Sequence, residues 1–232
     1  MGIEYKKLGE ISTAVNYGYT ASATIKKIGP KFLRITDIQN DFIDWNSVPY
    51  CNISAKDLHK NKLAIGDIVI ARTGNSTGSN AIVKKQVDAV FASYLIRFNI
   101  NPNVADPFYV VYVLKSKYYF DFVSAIRGGS AQPGANAKQF SSFKIPILPI
   151  EEQHRIADIL SSLDDKIELN LEMNKTLEEM AMAIYKEWFV DFGPFRDGEF
   201  VDSELGPIPK GWVCDFLGNN WFDKNLNLIK LI

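Results

Sequence analysis

The sequence predicts an α+β fold in which a globular mixed domain is followed by a long coiled-coil helix. Short β-branched or aromatic runs, separated by Gly, Asn and Asp, occur through the first part of the chain and indicate strands. Residues 151–189 contain no Gly and no Pro, and their apolar positions recur in alternating steps of four and three, a heptad period. We expect a front domain over residues 1–149, a helical spacer over 150–192, and a linker with the truncated start of a second domain over 193–232.

Five short segments of the front domain have the composition of strands. Each is rich in β-branched or aromatic residues, is bounded by residues that favour turns, and in most cases is too short to be a helix. The segments are residues 32–35 (FLRI), 67–72 (DIVIAR), 81–84 (AIVK), 89–92 (AVFA) and 94–99 (YLIRFN).

Helix-start signals occur at two places in the front domain. Ser54-Ala-Lys-Asp57 resembles a capping box, and Asp106 precedes Pro107, which favours the first helical position. We expect the second helix to run as one piece to Gly128 and to pack an apolar ridge on the sheet. The ridge consists of Val110, Leu114, Tyr118, Phe122 and Ile126.

The long helix is expected to follow an extended connector, Ile145-Pro-Ile-Leu-Pro-Ile150, whose prolines confine any strand pairing to a sheet edge. A helix from Glu151 to Phe189, ended by Gly193-Pro194, would be roughly 60 Å long at 1.5 Å per residue. No second helix of that length is predicted in this chain, so its seam needs a partner. The seam consists of Ile156, Leu160, Leu163, Ile167, Asn170, Asn174, Leu177, Ala181, Ile184 and Trp188.

Two asparagines lie in the middle of this seam. Asn170 and Asn174 either fix the register of a paired helix, as buried polar seam residues do, or face solvent at a gap. The apolar stripe is also wider than a pair of helices requires, which predicts additional partners. The flanking apolar residues are Ile159, Leu171, Met173, Met180 and Tyr185.

The formal net charge of −1 conceals a division of charge along the chain. Residues 1–150 hold 18 Lys and Arg against 10 Asp and Glu, a balance of +8, whereas residues 151–232 hold 8 against 17, a balance of −9. A basic domain suits nucleic acid, because bound phosphates release their counterions. The alternative is a lysine-rich surface that is only solvated.

Composition argues against several other classes of protein. Cys51 and Cys214 lie in unrelated segments without metal-ligand spacing, and the N-terminus carries no apolar export signal. No apolar run approaches the roughly 18 residues of a membrane span. We therefore expect a soluble protein in the reducing cytoplasm, without a metal and without contact to a membrane.

Residues that could carry catalysis are scarce. His59 and His154 fall in predicted helices among charged residues, which favours ordinary solvated side chains. The segment Arg72 to Gly78 has the composition of a phosphate-binding loop but lacks the P-loop spacing, so a hairpin turn is the better interpretation. Gly193-Pro-Phe195 only partly matches the motif that positions the target amine in DNA methyltransferases. Catalysis by this chain is not expected.

Five short motifs occur in order along nearly the whole chain. They are Lys7-Leu8-Gly9-Glu10, Gly66 to Gly74 (GDIVIARTG), Gly129 to Pro133 (GSAQP) before Ile145 to Pro149, Glu151-Glu-Gln153 with Ile156, and Trp188-Phe189 with Asp191 to Phe195. Together they resemble the specificity subunits of Type I restriction-modification systems. The resemblance implies a target-recognition domain that binds double-stranded DNA, followed by a helical spacer. Glu204 to Trp212 looks like the linker to a second such domain.

The resemblance also implies an arrangement of partners. Family members typically carry two target-recognition domains and two long helices, so this chain looks like a half-length form that acts as a homodimer on a bipartite, palindromic site. Modification (methyltransferase) subunits and a restriction subunit would join it, with S-adenosylmethionine and ATP on those partners and no cofactor on this chain. The alternatives are a stand-alone DNA adenine methyltransferase fragment and a coiled-coil adaptor without DNA binding.

Three groups of residues are candidates for DNA contacts. The first lies in a turn where Gly74 and Gly78 allow close backbone approach, and it reads bases, contacts phosphates or merely closes the turn. It consists of Arg72, Thr73, Asn75, Ser76 and Thr77. The second, around a flexible polar loop, consists of Arg127, Ser130, Gln132, Asn136 and Lys138. The third is a basic run suited to phosphates or to plain solvation, and it consists of Lys26, Lys27, Lys31 and Arg34.

Overall fold

An antiparallel sheet organises the front domain in the computed structural model, which describes residues 4–38, 42–127 and 134–214. In spatial order, this 4-stranded sheet consists of β2 (Ser12–Tyr17), β7 (Leu95–Ile100), β4 (Asp67–Ala71) and β5 (Asn80–Ile82). Every residue of β4 is buried, because the sheet is covered on both faces. The mixed α and β architecture of the front domain confirms the predicted fold class.

Shorter strand pairs complete the β structure. Strand β1 (Glu4–Lys7) pairs antiparallel with β8 (Lys144–Ile147), and β3 (Lys31–Leu33) pairs parallel with β6 (Ala89–Phe91). Strand β8, which contains Pro146, has β1 as its partner in a two-stranded pair, in agreement with the prediction that prolines confine this segment to an edge.

The helices follow the predicted order, with one break. They are α1 (Ala55–Asn61), α2 (Pro107–Leu114), α3 (Lys117–Ile126), α4 (Ala137–Ser141) and α5 (Ile150–Tyr185). The side chain of Ser54 caps α1 by accepting from the backbone N–H of Asp57, and Asp106 caps α2 in the same way. Both helix starts predicted from the sequence are therefore confirmed.

The two faces of the sheet carry separate parts of the core. Ile68 and Ile70 face one cluster, to which α2 and α3 contribute, whereas Val69 and Ala71 face another. The first cluster includes Ile96, Phe98, Val110, Leu114, Tyr119, Val123 and Phe140. The second includes Leu33, Trp45, Leu63, Phe91 and Leu95.

The prediction of a single helix from Pro107 onwards is wrong, because this segment divides into α2 and α3. Ser116 starts the second helix by accepting a hydrogen bond from the backbone N–H of Tyr119. The break changes the helical phase, so Tyr119 is fully buried while Tyr118, predicted as part of the ridge, is half exposed. The remaining ridge residues, Val110, Leu114, Phe122 and Ile126, do pack in or against the core.

Strand bounds differ from the prediction in places. The segment at 32–35 forms β3 only as far as Leu33, because Arg34 hydrogen bonds to Asp37 and opens a 3₁₀ turn at Ile35–Ile38. Strands β1 and β2 were not among the predicted segments. In the expected linker, β9 (Phe200–Ser203) and β10 (Gly206–Pro209) form an antiparallel hairpin.

The long helix is confirmed in type, position and length. Helix α5 has 36 residues, begins directly after Pro149, and continues through a π-helical turn at Lys186–Val190. Its first turns belong to the core of the front domain, since Gln153 and Ala157 are buried there. Within the part of the chain that is described, no helix has both the length and the apolar character needed to cross a membrane.

The chain divides into two compact units, with the boundary inside α5 between Lys166 and Ile167. In the second unit, aromatic rings gather around Trp212, whose ring centroid lies 5.2 Å from that of Phe195 and 5.5 Å from that of Phe192. Phe192 has a left-handed backbone conformation, with φ of 50°, directly after the helical segment ends. The second unit therefore has its own small apolar cluster.

Candidate nucleic-acid interface

Described residues of the first two candidate groups lie at one edge of the 4-stranded sheet. The pairings of Tyr17 with Ile96 and of Ala71 with Leu95 put the ends of β2 and β4 beside the start of β7. The backbone N–H of Arg72, just after β4, donates to the carbonyl of Tyr94, just before β7, at 3.0 Å. Three separate parts of the sequence thus meet at this edge.

Residues Arg72 to Ser79 form the turn of the β4–β5 hairpin, so the hairpin interpretation is confirmed. Gly74 and Gly78 both have left-handed backbones, with φ of 69° and 94°. A Cβ at Gly78 would lie 2.7 Å from Cγ1 of Val123, so a larger residue does not fit there. Thr77 is buried, and its hydroxyl donates to the carbonyl of Gly74 at 2.7 Å. Of the first candidate group, Thr77 therefore holds the turn together.

Residues that flank the second candidate loop contact the first loop, although the two are far apart in the sequence. Thr73 and Gly134 form an antiparallel bridge, and the N–H of Ala135 donates to the carbonyl of Arg72 at 2.9 Å. Nη2 of Arg127 donates to the carbonyls of Gly74 and Asn75 at 3.2 and 3.3 Å. Arg127 thus supports the first turn from the second loop. The candidates Ser130 and Gln132 lie outside the described residues.

The guanidinium of Arg72 is held by contacts on several sides. Its Nε donates to the carbonyl of Ser93 at 3.1 Å, and its Cζ lies 5.2 Å from the ring centroid of Tyr17 and 6.0 Å from that of Tyr94. The hydroxyl of Tyr17 accepts a hydrogen bond from the N–H of Ala137 at 3.0 Å. Both tyrosines are about half exposed, at 45% and 54%.

Tyr17 and Tyr94 were missed by the sequence reasoning. Each stands at a strand end, where an exposed aromatic residue next to a polar turn is the one signal that could have indicated them. Because β2 was not predicted, nothing in the sequence brought Tyr17 to Arg72. The remaining candidates on this surface differ in exposure: Asn75 is exposed, while Thr73 and Ser76 are half-buried.

The second loop leads into α4. Asn136 caps this helix: its side chain accepts from the backbone N–H of Gln139, while the Gln139 side chain accepts from the N–H of Asn136. The side-chain oxygen of Asn136 is therefore engaged in the cap. Lys138, one turn further, is exposed on α4.

The third group of candidates divides into exposed and paired charges. Lys26 and Lys27 are exposed, whereas Nζ of Lys31 donates to the carbonyl of Val48 at 3.0 Å. Arg34 donates from Nε and Nη2 to the two carboxylate oxygens of Asp37, at 3.0 and 2.8 Å. These hydrogen bonds raise the pKa of Arg34, against the opposing effect of burial. The positive charge of Arg34 is thus compensated within the domain.

Among the described residues, His, Cys, Asp and Glu side chains nowhere gather in a group of three or more that could hold a metal ion. His59 and His154 are exposed on α1 and α5, as predicted.

The seam predicted on the long helix is exposed over most of its length. Ile156, its first residue, is half-buried and packs against the core of the front domain, because the first turns of α5 lie on that domain. Leu160 is half-buried. The exposed seam residues are Leu163, Ile167, Asn170, Asn174, Leu177, Ala181, Ile184 and Trp188. The flanking Ile159, Leu171, Met173, Met180 and Tyr185 are exposed as well.

Comparison with known proteins identifies a family for most of the chain. The family described as Type I restriction modification DNA specificity domain matches residues 2–179. A relative from Methanocaldococcus jannaschii, provisionally named type I restriction enzyme MjaX specificity subunit, is 30% identical over 228 residues, which are 95% of this chain and 53% of the relative. The type I restriction enzyme HindI specificity subunit of Haemophilus influenzae is 32% identical over 197 residues, 82% of this chain and 41% of that protein.

Solved structures show the same fold. The crystal structure of the Type-I restriction-modification system S subunit from M. genitalium superimposes with a TM-score of 0.60 at 15% identity. The superposition covers 82% of this chain and 46% of that one. This chain therefore spans about half the length of the relatives that it matches.

Proposed function

This chain belongs to the family of Type I restriction modification DNA specificity domains, and we propose that it is a non-catalytic DNA sequence-recognition subunit. In this proposal, the front domain, residues 1–149, is a target-recognition domain that reads one half of a bipartite site in double-stranded DNA. Residues 150–192 form a spacer and dimerisation helix, and residues 193–232 form a linker and the beginning of a second domain.

The observation that carries the proposal is the contact of the Arg72 turn with Arg127, Gly134 and Ala135, which flank the second candidate loop. Arg72 and Asn75, whose side-chain types read guanine and adenine edges, lie beside Arg127 and the start of α4. The surface is held by backbone hydrogen bonds between separate segments, so it is rigid enough to present side chains in fixed directions. The net charge of +8 over residues 1–150 would favour approach to DNA.

The exposed seam of α5 supports a second copy as a partner. Four of its apolar residues are each more than half exposed: Leu163, Ile167, Leu177 and Ile184. Pairing with a second helix would bury these side chains. Two copies related by two-fold symmetry would bring two equal recognition domains to a palindromic bipartite site. The additional apolar residues beside the seam would receive the modification subunits, and a restriction subunit would join the complex. S-adenosylmethionine and ATP would be bound by those subunits in the cytoplasm.

The proposal is tested by expressing the chain together with modification subunits of the same family and mapping methylated adenines in the host DNA. We expect methylation at one bipartite motif with two-fold symmetry. A matched co-expression with a chain lacking residues 72–79 should leave the DNA unmodified. No methylation with any modification subunit would contradict the proposal.

Two measurements on the purified chain separate it from the alternatives. A methyltransferase fragment would bind S-adenosylmethionine by itself, which isothermal titration would detect. A coiled-coil adaptor would show no DNA affinity, whereas the proposed subunit should bind double-stranded DNA with an affinity that falls steeply as salt rises.

A further inference from the structure

We propose that Tyr17 and Tyr94 position Arg72 to read a guanine in the major groove, so that each half-site contains guanine at one fixed position. The inference rests on the proposed function, since it concerns how the same surface recognises DNA. It goes further by naming the base, the reading side chain and the residues that orient it.

The hydrogen bonds of Arg72 leave the end of its guanidinium available. The group has five N–H donors, and the one on Nε is used by the carbonyl of Ser93 at 3.1 Å. Within the part of the chain that is described, no hydrogen bond joins Nη1 or Nη2 of Arg72 to another residue. A pair of terminal nitrogens remains, and this pair matches the two acceptors O6 and N7 of guanine.

The tyrosine rings fix the direction of that pair. Both ring centroids lie within about 6 Å of the guanidinium carbon, the range of cation–π attraction. The Tyr17 ring is itself anchored at its hydroxyl by the N–H of Ala137. The backbone of Arg72 is held by Tyr94 and Ala135 on either side of the same residue. A side chain restrained at its backbone, its Nε and its faces loses little further freedom on binding.

This restraint favours a base over a phosphate as the target. A phosphate is bound well by a mobile cation, as lysines show, and it gives no information about sequence. Recognition of a base edge depends on fixed geometry, because both hydrogen bonds must be made at once. The turn beside Arg72 also allows close approach: a Cβ built on Gly74 would meet no atom within 4 Å.

The test begins with the motif that the wild-type complex selects from a DNA library. Each guanine of that motif is then replaced in turn by 7-deazaguanine, which lacks the N7 acceptor. We expect one position per half-site at which the replacement weakens wild-type binding by roughly tenfold, and no such effect in Arg72→Ala. A phosphate contact would instead weaken binding of Arg72→Ala equally to all sequences, and this result would overturn the inference.

The positioning role is tested at Tyr94, whose exposed side chain tolerates substitution. Tyr94→Leu removes the ring and should reduce discrimination at the guanine several-fold. Tyr94→Phe keeps the ring and should restore discrimination. Equal behaviour of the two variants would refute the positioning role. If the wild-type complex selects no motif at all, the proposed function itself fails, which is a separate result from loss of the guanine effect.

Discussion

The hydroxyl of Tyr112 on α2 donates a hydrogen bond of 2.9 Å to Oδ2 of Asp164 on α5. Nζ of Lys115 lies 3.7 Å from the same carboxylate oxygen, and Nζ of Lys84 lies 3.2 Å from Oδ1 of Asp165. These contacts attach the basic front domain to the acidic beginning of the long helix. The orientation of the helix start on the front domain is therefore set by specific pairs rather than by a flexible linker.

Substitution of Tyr112 by Phe should lower the free energy of unfolding by about 1 kcal/mol, because a hydrogen bond to a carboxylate is removed at a half-buried site. Urea unfolding followed by circular dichroism measures the change. Tyr118→Phe is the matched control, since it removes a hydroxyl from a half-exposed ring on α3. Equal stability of the two variants would show that the hydrogen bond contributes nothing.

Alkaline pH should weaken the same attachment. Burial raises the pKa of the Tyr112 phenol from 10.0 to about 12, so the protonated form is favoured in the folded protein. A raised folded pKa gives stability that is complete below pH 10 and is lost as pH rises towards 12. The stability of wild type should thus fall more steeply than that of Tyr112→Phe over this window. Parallel curves of unfolding free energy against pH would contradict this prediction.

The proposed dimerisation through the seam should be sensitive to a charge at Leu177. Leu177→Lys should weaken self-association by roughly 100-fold or more, because each copy loses the burial of a leucine worth about 1.5–3 kcal/mol. Thr176→Lys introduces the same charge one residue away, off the seam, and should associate like wild type. Sedimentation equilibrium measures both. A Leu177→Lys protein that associates as tightly as Thr176→Lys would exclude this face as the interface.

The sequence was most informative where local chemistry decides the structure. The caps at Ser54 and Asp106 determine helix starts through contacts two or three residues away, and Pro149 determines where α5 begins. The break before α3 was less visible, because Ser116 interrupts a run of residues that all suit one helix. The break shifts the helical phase, so Tyr119 is buried instead of Tyr118. Composition does not reveal this shift.

The candidate interface could be predicted only in parts. Arg72 and Asn75 were indicated by residue type and neighbouring glycines, but the bridge from Thr73 to Gly134 depends on a pairing across many residues. Tyr17 reaches Arg72 only through the pairing of β2 with β7, which short-range patterns do not reveal. An ion pair accounts for Arg34. Its charge suggested a phosphate contact, but its guanidinium already donates to both carboxylate oxygens of Asp37.

Lys26 and Lys27 should contribute affinity without specificity. If each binds a phosphate, replacing both by Ala should reduce the slope of log affinity against log salt by about 0.9 for each phosphate that is no longer bound, equally for all sequences. Lys117→Ala is the control, because Lys117 is exposed but lies on α3 in an ion pair with Asp121. Fluorescence anisotropy at several salt concentrations measures the slopes. Slopes equal to that of the control would assign both lysines to a merely solvated surface.

Lengthening α5 should change the distance between the two half-sites. Four residues inserted after Lys175 add about 6 Å of helix, nearly two base-pair steps of roughly 3.4 Å, in each copy. The insertion also rotates one half of the seam relative to the other by a fraction of a turn. We expect the supercoil of the two helices to change locally at the insertion, while the helices stay paired on both sides of it. Mapping of methylated DNA should then show the same half-sites with a longer spacer. Four residues inserted between Glu204 and Leu205, in the turn between β9 and β10, leave the helix intact and should not change the spacer. An unchanged spacer in the helix variant would show that α5 does not determine this distance.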